Sequence, residues 1–372
     1  MYVRNDAVRQ RMLGAALLFA IGSCTTAKAQ GPSPEPAAWR IRGVGVSGLV
    51  DGYYSYNANH PGNAANGQIN DLYNQINDLY NFDDKADQFS LSEARLTLDH
   101  DPGPVGAHAD LFYGRTNSLV NVDEEANFVE RAFVSLKPPK AHTMEVDLGK
   151  FVTAAGAETI EAKDNWNYSR SLLFSYAIPY FHFGGRAMLP LSKSETAGVQ
   201  LVNGWNKCVK SNGGLTGGFT NALVTRRYTW NLNLYTGPEN SDAQKSYRNL
   251  IDTTLLLTPD ARFSAYVNYD YGRNRNEAVD GKGNDALKRW LGVAVAAQEQ
   301  LGARQAIAGR AEYFNDPQGY TTGKTQQVKE LTATYERRWH LGLLARMEFR
   351  RDWSDQPFST GRTASSWSRS RP

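Results

Sequence analysis

Residues able to do covalent chemistry are thinly spread along this chain. The six histidines, His60, His100, His108, His142, His182 and His340, form no H-E-x-x-H run and no i, i+4 pair, so no metal site is suggested. Gly319-Tyr320-Thr321-Thr322-Gly323-Lys324-Thr325 looks like a phosphate-binding loop, but three residues separate its glycines where four are needed. Gly45-Val46-Ser47-Gly48 lacks the second glycine of a nucleophile elbow. A Ser and a His meeting in space at a rim stays open, because such sites are assembled by the fold and not by sequence spacing. No cofactor is indicated. The dense chemistry is electrostatic. Glu158, Glu161, Lys163, Asp164 and Arg170 crowd one long connection and lead into the aromatics Phe174, Tyr176, Tyr180, Phe181 and Phe183. Such a segment is either a solvated loop or, folded into a channel, a set of fixed charges that narrows and polarises it.

The elements that would position these charges are strands. Residues 42–56 set Val44, Val46, Val50, Tyr54 and Tyr56 against Ser47, Asp51 and Ser55. Residues 105–113, 261–271 and 341–352 repeat the pattern, the last with Leu341, Leu343, Ala345, Met347 and Phe349 opposite Arg346, Glu348, Arg350 and Asp352. Successive strand side chains point to opposite faces, so each segment has one apolar and one polar face. No 3.6-residue pattern of comparable length occurs.

Short and long connections alternate. Tight turns are expected at 101–104, 138–140, 192–195, 259–260, around 300–302 and at 338–340; polar stretches near 57–87, 116–126, 152–178, 206–216, 237–247, 273–287 and 314–325 are much longer. A soluble sandwich has no reason to sort its loops this way. A transmembrane antiparallel up-and-down β-barrel does, with short periplasmic turns, long outer loops and aromatic girdles. Tyr54, Tyr56, Tyr113, Tyr269 and Tyr271 stand where strands meet long loops. The count gives about fifteen strands up to Asp352, and an even total of sixteen is expected. Residues 354–372 should hold the last strand, yet Pro357, Gly361 and scattered charges break any alternation and the chain ends on Pro372. A missing or altered last strand, from truncation or a frame shift near Phe358, is the expectation. The heptad Gln68-Ile69-Asn70-Asp71-Leu72-Tyr73-Asn74 recurs at once at 75–81, as a tolerated loop duplication or a short cap over a pore mouth.

The chain has 372 residues, 41% of them apolar, a formal charge of +3 and a mean hydropathy of −0.53. No run beyond the N-terminus is long enough for a helical span, and two cysteines cannot build a disulfide scaffold. Arg4, Arg9 and Arg11 precede the apolar run Met12 to Ile21, followed by Ala27-Lys28-Ala29, the form of an export signal over 1–29. Ile21-Gly22-Ser23-Cys24 also has the form of a lipoprotein cleavage box; Ala29 offers the more orthodox cut. Cleavage after Ala29 removes four cations and one anion and leaves 37 of each, so the basic excess belongs to the leader and a nucleic-acid partner loses its support. A Pro-rich periplasmic spacer is expected at 30–40, the barrel at 41–353 and an aberrant tail at 354–372.

Asp147-Leu148-Gly149-Lys150-Phe151, Asp164-Asn165-Trp166-Asn167-Tyr168-Ser169-Arg170 and Tyr176-Ala177-Ile178-Pro179-Tyr180 resemble the OmpL-like β-barrel porin family. Asn203-Gly204-Trp205-Asn206, Asn268-Tyr269-Asp270-Tyr271-Gly272 and Glu312-Tyr313-Phe314-Asn315-Asp316-Pro317 resemble its later segments, so the likeness covers about residues 42–358. It implies a porin of the bacterial outer membrane, in contact with its lipid and passing small hydrophilic solutes by passive diffusion, with no catalytic or ligand residues to carry over. A homo-oligomer is compatible with it. With apolar side chains toward lipid, Arg95, Arg131, Arg186, Arg262, Arg310, Glu312, Arg346, Glu348 and Arg350 face inward and join Glu158, Glu161, Lys163, Asp164 and Arg170 as constriction candidates. Glu93, Asp110, Glu145, Asp147, Asp270, Glu330 and Glu336 complete a wall that charges of both signs should keep wet and unsuited to a dry packed core. An outer-membrane barrel hydrolase with a rim site and a secreted soluble carbohydrate-binding β-protein are the alternatives.

Overall fold

The computed structural model describes residues 39–58, 77, 79–101, 103–121, 125, 127–138, 144–210, 213–239, 247–276, 286–339 and 342–356. The leader, most of the spacer, most of the repeated heptad and residues 357–372 lie outside them. The fold is one antiparallel sheet whose strands pair strictly in chain order. A three-residue strand, β1 (Trp39–Ile41), is followed by β2 (Val44–Ser55), β3 (Gln88–His100), β4 (Val105–Tyr113), β5 (Val129–Leu136) and β6 (Glu145–Val152). Then come β7 (Phe181–Pro190), β8 (Glu195–Val202), β9 (Thr216–Val224), β10 (Tyr228–Pro238) and β11 (Tyr247–Leu257). The run closes with β12 (Phe263–Asn276), β13 (Ala286–Gly302), β14 (Gln305–Asp316), β15 (Gln326–Arg338) and β16 (Leu344–Ser354). The fifteen long strands match the count from the sequence, and the sixteenth is the short β1 at the front. No helix among the described residues is long and apolar enough to cross a membrane; the helix α1 (Arg115–Val120) is a single short piece in the β4–β5 connection.

Period-two patterning sets which face is which. Along β15, Gln326, Val328, Glu330, Thr332, Thr334 and Glu336 are buried, while Gln327, Lys329, Leu331, Ala333, Tyr335 and Arg337 are exposed. The exposed faces of neighbouring strands carry Val267, Tyr269, Val295, Ile307, Met347 and Phe349, which form an apolar outer belt. Polar side chains therefore point inward.

Two β-bulges break the alternation where charges gather. The register shifts between Asp51 and Gly52 opposite β3, and between Asp110 and Leu111 opposite β5. The first turns both Ser92 and Glu93 inward; the second does the same for the adjacent Glu130 and Arg131. A bulge inserts one extra residue and re-aims its neighbour.

The interior differs from the expected wet wall. An apolar cluster fills part of it, where Tyr235, Leu250, Tyr266, Trp290, Ala294, Phe314 and Val328 of the inner wall meet Ile160, Leu172, Leu173, Phe174, Ala177 and Ile178 of the β6–β7 connection. Leu79 and Phe82 of the β2–β3 connection join them. The charged wall residues are real, but the connections bring their own apolar residues and cover the aromatic part of the wall. Each large side chain so covered contributes about 1.5–3 kcal/mol. Trp290 Nε1 donates to Ala177 O at 3.0 Å, so its one polar atom is satisfied as well.

The described pairings run from β1 to β16 without joining the two ends. One luminal residue reaches both flanks: Tyr168 donates its hydroxyl to Asp51 on β2 at 3.0 Å and its backbone N–H to Glu348 on β16 at 2.5 Å. The sheet therefore curls round the β6–β7 connection as a barrel wall.

Candidate functional site

The connection over residues 153–180 leaves β6 and returns to β7 through one neck, where Thr153 N donates to Tyr180 O at 3.0 Å. Inside the neck the chain turns at Gly156, whose φ of +91° lies in the left-handed region and where an added Cβ would meet Ile178 Cδ1 at 2.7 Å. Ala162–Asp164 form a single 3-10 turn and Leu173–Ala177 a π-helical turn. Such short turns leave backbone groups unpaired, and here the barrel wall satisfies them.

Glu348 Oε1 accepts Ser169 N at 2.9 Å beside its bond from Tyr168. Glu312 accepts Leu172 N at 3.0 Å and Leu173 N at 3.2 Å, while Glu158, from the connection itself, accepts Ser171 N at 2.6 Å. The carbonyls are met by arginines. Arg346 donates through Nη1 to Ala162 O and through Nη2, at 2.5 Å, to Asn165 O, and the same Nη2 pairs with Glu336 at 2.7 Å. Arg350 donates to Arg170 O at 2.8 Å and pairs with Asp352 at 3.0 Å. Arg310 donates to Ser169 O at 2.8 Å and is surrounded by Glu158 at 2.6 Å, Glu312 at 3.0 Å and Glu330 at 3.2 Å. Charge-assisted bonds of this kind are about twice as strong as neutral ones.

On the far side a second knot ties the same connection to β3 and β5. Arg95 meets Glu93 at 2.5 Å, Glu130 at 2.8 Å and Glu161; Arg131 pairs with Asp110 and, at 3.2 Å, with Glu161. Arg170 turns its guanidinium to Tyr168 O at 2.9 Å and to Ile160 O, over the ring of Phe82 at 4.6 Å. Lys163 and Asp164 pair with one another at 3.1 Å on the partly exposed rim of the 3-10 turn.

Most sequence-derived candidates thus meet at one structure. Two stand apart: Arg186 pairs with Asp147 at 2.8 Å on the β6–β7 wall, and Arg262 lies exposed in the turn before β12. Glu130 and Asp83 were not singled out by the sequence, and Tyr168 only as part of the family-like segment Asp164–Arg170, not as a site residue. Glu130 reads as lipid-facing by strict alternation, and only the bulge turns it in. Asp83 belongs to the β2–β3 connection, which folds against the same cluster: Asn81 donates to Ser175 O at 3.1 Å and Tyr180 Oη at 3.0 Å, and Tyr80 lies 4.1 Å from the Arg350 guanidinium. Burial pushes the Asp83 carboxyl up to about 7, against the opposing pull of Arg350.

The phosphate-loop lookalike is held otherwise. Asp316 accepts the backbone N–H of Tyr320, Thr321 and Thr322 at 2.8 Å each, so these donors are already used. Among the described residues no group of three or more His, Cys, Asp or Glu side chains is arranged to hold a metal ion.

The family described as "Putative beta-barrel porin-2, OmpL-like" matches residues 43–370. The chain belongs to this family. It is an outer-membrane porin, and the sixteen-stranded antiparallel up-and-down sheet agrees with that family. No curated protein matches the sequence. Among solved structures, a loop L8 deletion mutant of OmpT, an outer membrane protein of Vibrio cholerae, aligns with a TM-score of 0.48 at 11% identity over 73% of this chain and 88% of its own. The anion-selective porin from Comamonas acidovorans gives 0.48 at 11% over 71% and 79%. Salmonella typhi OmpF, in complex with daunomycin, gives 0.46 at 13% over 73% and 92%.

Proposed function

We propose that this porin passes small hydrophilic solutes passively, down their own gradients, through a bore set by the connection at 153–180. Arg95, Arg131, Glu158, Glu161, Arg170, Arg310, Glu312, Arg346, Glu348 and Arg350 are the charges that fix that bore, and Lys163 and Asp164 stand at its partly exposed rim. The observation that carries the reading is the anchorage of the connection to opposite parts of the wall, Glu158 to Arg310 on β14 and Glu161 to Arg95 and Arg131 on β3 and β5, with Arg346 and Arg350 of β16 holding its carbonyls. A constriction needs a fixed position, and ion pairs to both sides of the wall supply one. A leader cut after Ala29, a barrel at 41–353 and a passive, non-enzymatic role belong to the same proposal. A homo-oligomer is the proposed state in lipid, and small outer-face residues such as Gly48 and Ala94, set among Val50, Leu96, Leu111 and Tyr113, supply a shallow apolar groove for it.

Full-length protein refolded from denaturant into detergent and added to a planar bilayer should give stable conductance steps and heat-modifiable migration. A folded product without conductance overturns the channel reading; turnover abolished by one Ser or His substitution would replace it. Sedimentation in detergent reads the oligomeric state.

A further inference from the structure

Behind the luminal connection, the inner face of β10–β12 carries a patch of oxygen atoms that the ion-pair network does not use. Asp252 and Asp270 are register partners on β11 and β12, both fully buried, with their carboxyl groups in mutual contact. Asp252 is satisfied: Gly156 N and Asn268 Nδ2 each donate to Oδ1 at 2.9 Å, and Asn233 Nδ2 to Oδ2 at 2.8 Å. Asp270 lies against Asp252 and the Asn268 amide, but neither of its oxygens accepts a well-formed hydrogen bond, and Oδ1 of Asn231, Oδ1 of Asn233 and Oγ1 of Thr254 have no partner. Each of these side chains is more than nine-tenths buried. Glu312, the further charge acting on Asp270, is of the same sign. Among the described residues no Lys, Arg or His pairs with either aspartate.

Two carboxylates in contact away from water cannot both stay ionised unless a cation compensates them. The available donors are all oxygen, and the two carboxylates balance a charge of +2. That chemistry suits a hard divalent ion of the calcium class and not a soft transition metal. A small cavity of about 30 Å³, lined by Thr153, Ala154, Arg186, Gln200, Asn231 and Asn233 among others, lies beside the two asparagines whose Oδ1 atoms are unpartnered.

We propose that Asp252 and Asp270, with Asn231, Asn233 and Thr254, form a binding site for a hard divalent cation. Through Asp252 the bound ion braces the Gly156 limb of the luminal connection against the wall. This goes beyond the channel reading and does not rest on it, because the ion can be counted without any conductance measurement.

The test uses full-length protein refolded in detergent, stripped with chelator and titrated with Ca²⁺ alone by calorimetry. One saturable site per chain is expected, with a rise in the temperature at which the compact, heat-modifiable band is lost. Asp270→Asn should weaken uptake by more than about tenfold, since affinity at such sites follows ligand charge, whereas Asp99→Asn, on an exposed carboxylate, should titrate as wild type. Absence of saturable uptake by the wild type overturns the proposal, as does an Asp270→Asn protein that binds unchanged. If one shared proton or a buried water serves the pair instead, stripped and Ca²⁺-treated protein will melt alike, which is also an overturning result. Should Asp270→Asn fail to fold, the wild-type titration decides alone.

Discussion

A single side chain, Glu348, shows how the charges proposed to fix the bore are held in position. Its carboxylate accepts the backbone N–H of Tyr168 and Ser169 and the hydroxyl of Thr334 at 2.7 Å. Glu348→Gln keeps the shape and removes the charge. Charge-assisted bonds contribute about 1.5–3 kcal/mol, so the variant should lose part of that from docking of the connection. Single-channel records should then show more open-state noise; a trace as quiet as wild type would sink the role given to Glu348. Arg310, Glu312, Arg346, Glu348 and Arg350 were legible in the sequence because their strands alternate without a break. Glu130 was not, because the bulge that turns it inward is produced by pairing with β4 and leaves no mark in its own segment. The carbonyl ligands of Arg346 were equally hidden, since a backbone oxygen has no sequence signature.

At the level of elements, the strands were legible and the packing of the connections was not. Even the β9–β10 turn at 225–227 has neither Gly nor Pro; Thr225 Oγ1 builds it by accepting the N–H of Arg227 at 3.3 Å and Tyr228 at 3.1 Å. The β2–β3 connection seats Asp83 beside the charge cluster, and its carboxyl rises from an ordinary 3.8 to about 7. Between roughly pH 4 and 7 the docked form therefore holds a proton that the undocked form releases. Docking is strongest below that window, weakens as pH rises through it and levels off above about 7. Gating flicker measured at pH 4, 5.5 and 8 should increase in that order. Asp83→Asn, which cannot ionise, should flatten the profile, and an unchanged profile in that variant removes Asp83 as the cause.

For the whole molecule, mean hydropathy misleads about membrane residence because half of every strand faces inward. The inward half was expected to stay wet, yet aromatic wall residues and the β6–β7 connection bury one another around Trp290. Three-residue and longer apolar stretches inside a loop carry no label saying whether they meet lipid, solvent or the loop's own barrel. Tyr168 joins the two flanks of the wall from within, and that gives the tube a spoke as well as a skin. A hollow cylinder held only by its hoop bonds widens smoothly when its surroundings are stretched; one with an internal spoke keeps its girth until the spoke lets go. Conductance in a bilayer under rising lateral tension should accordingly stay level and then step upward, and Tyr168→Phe should move that step to lower tension.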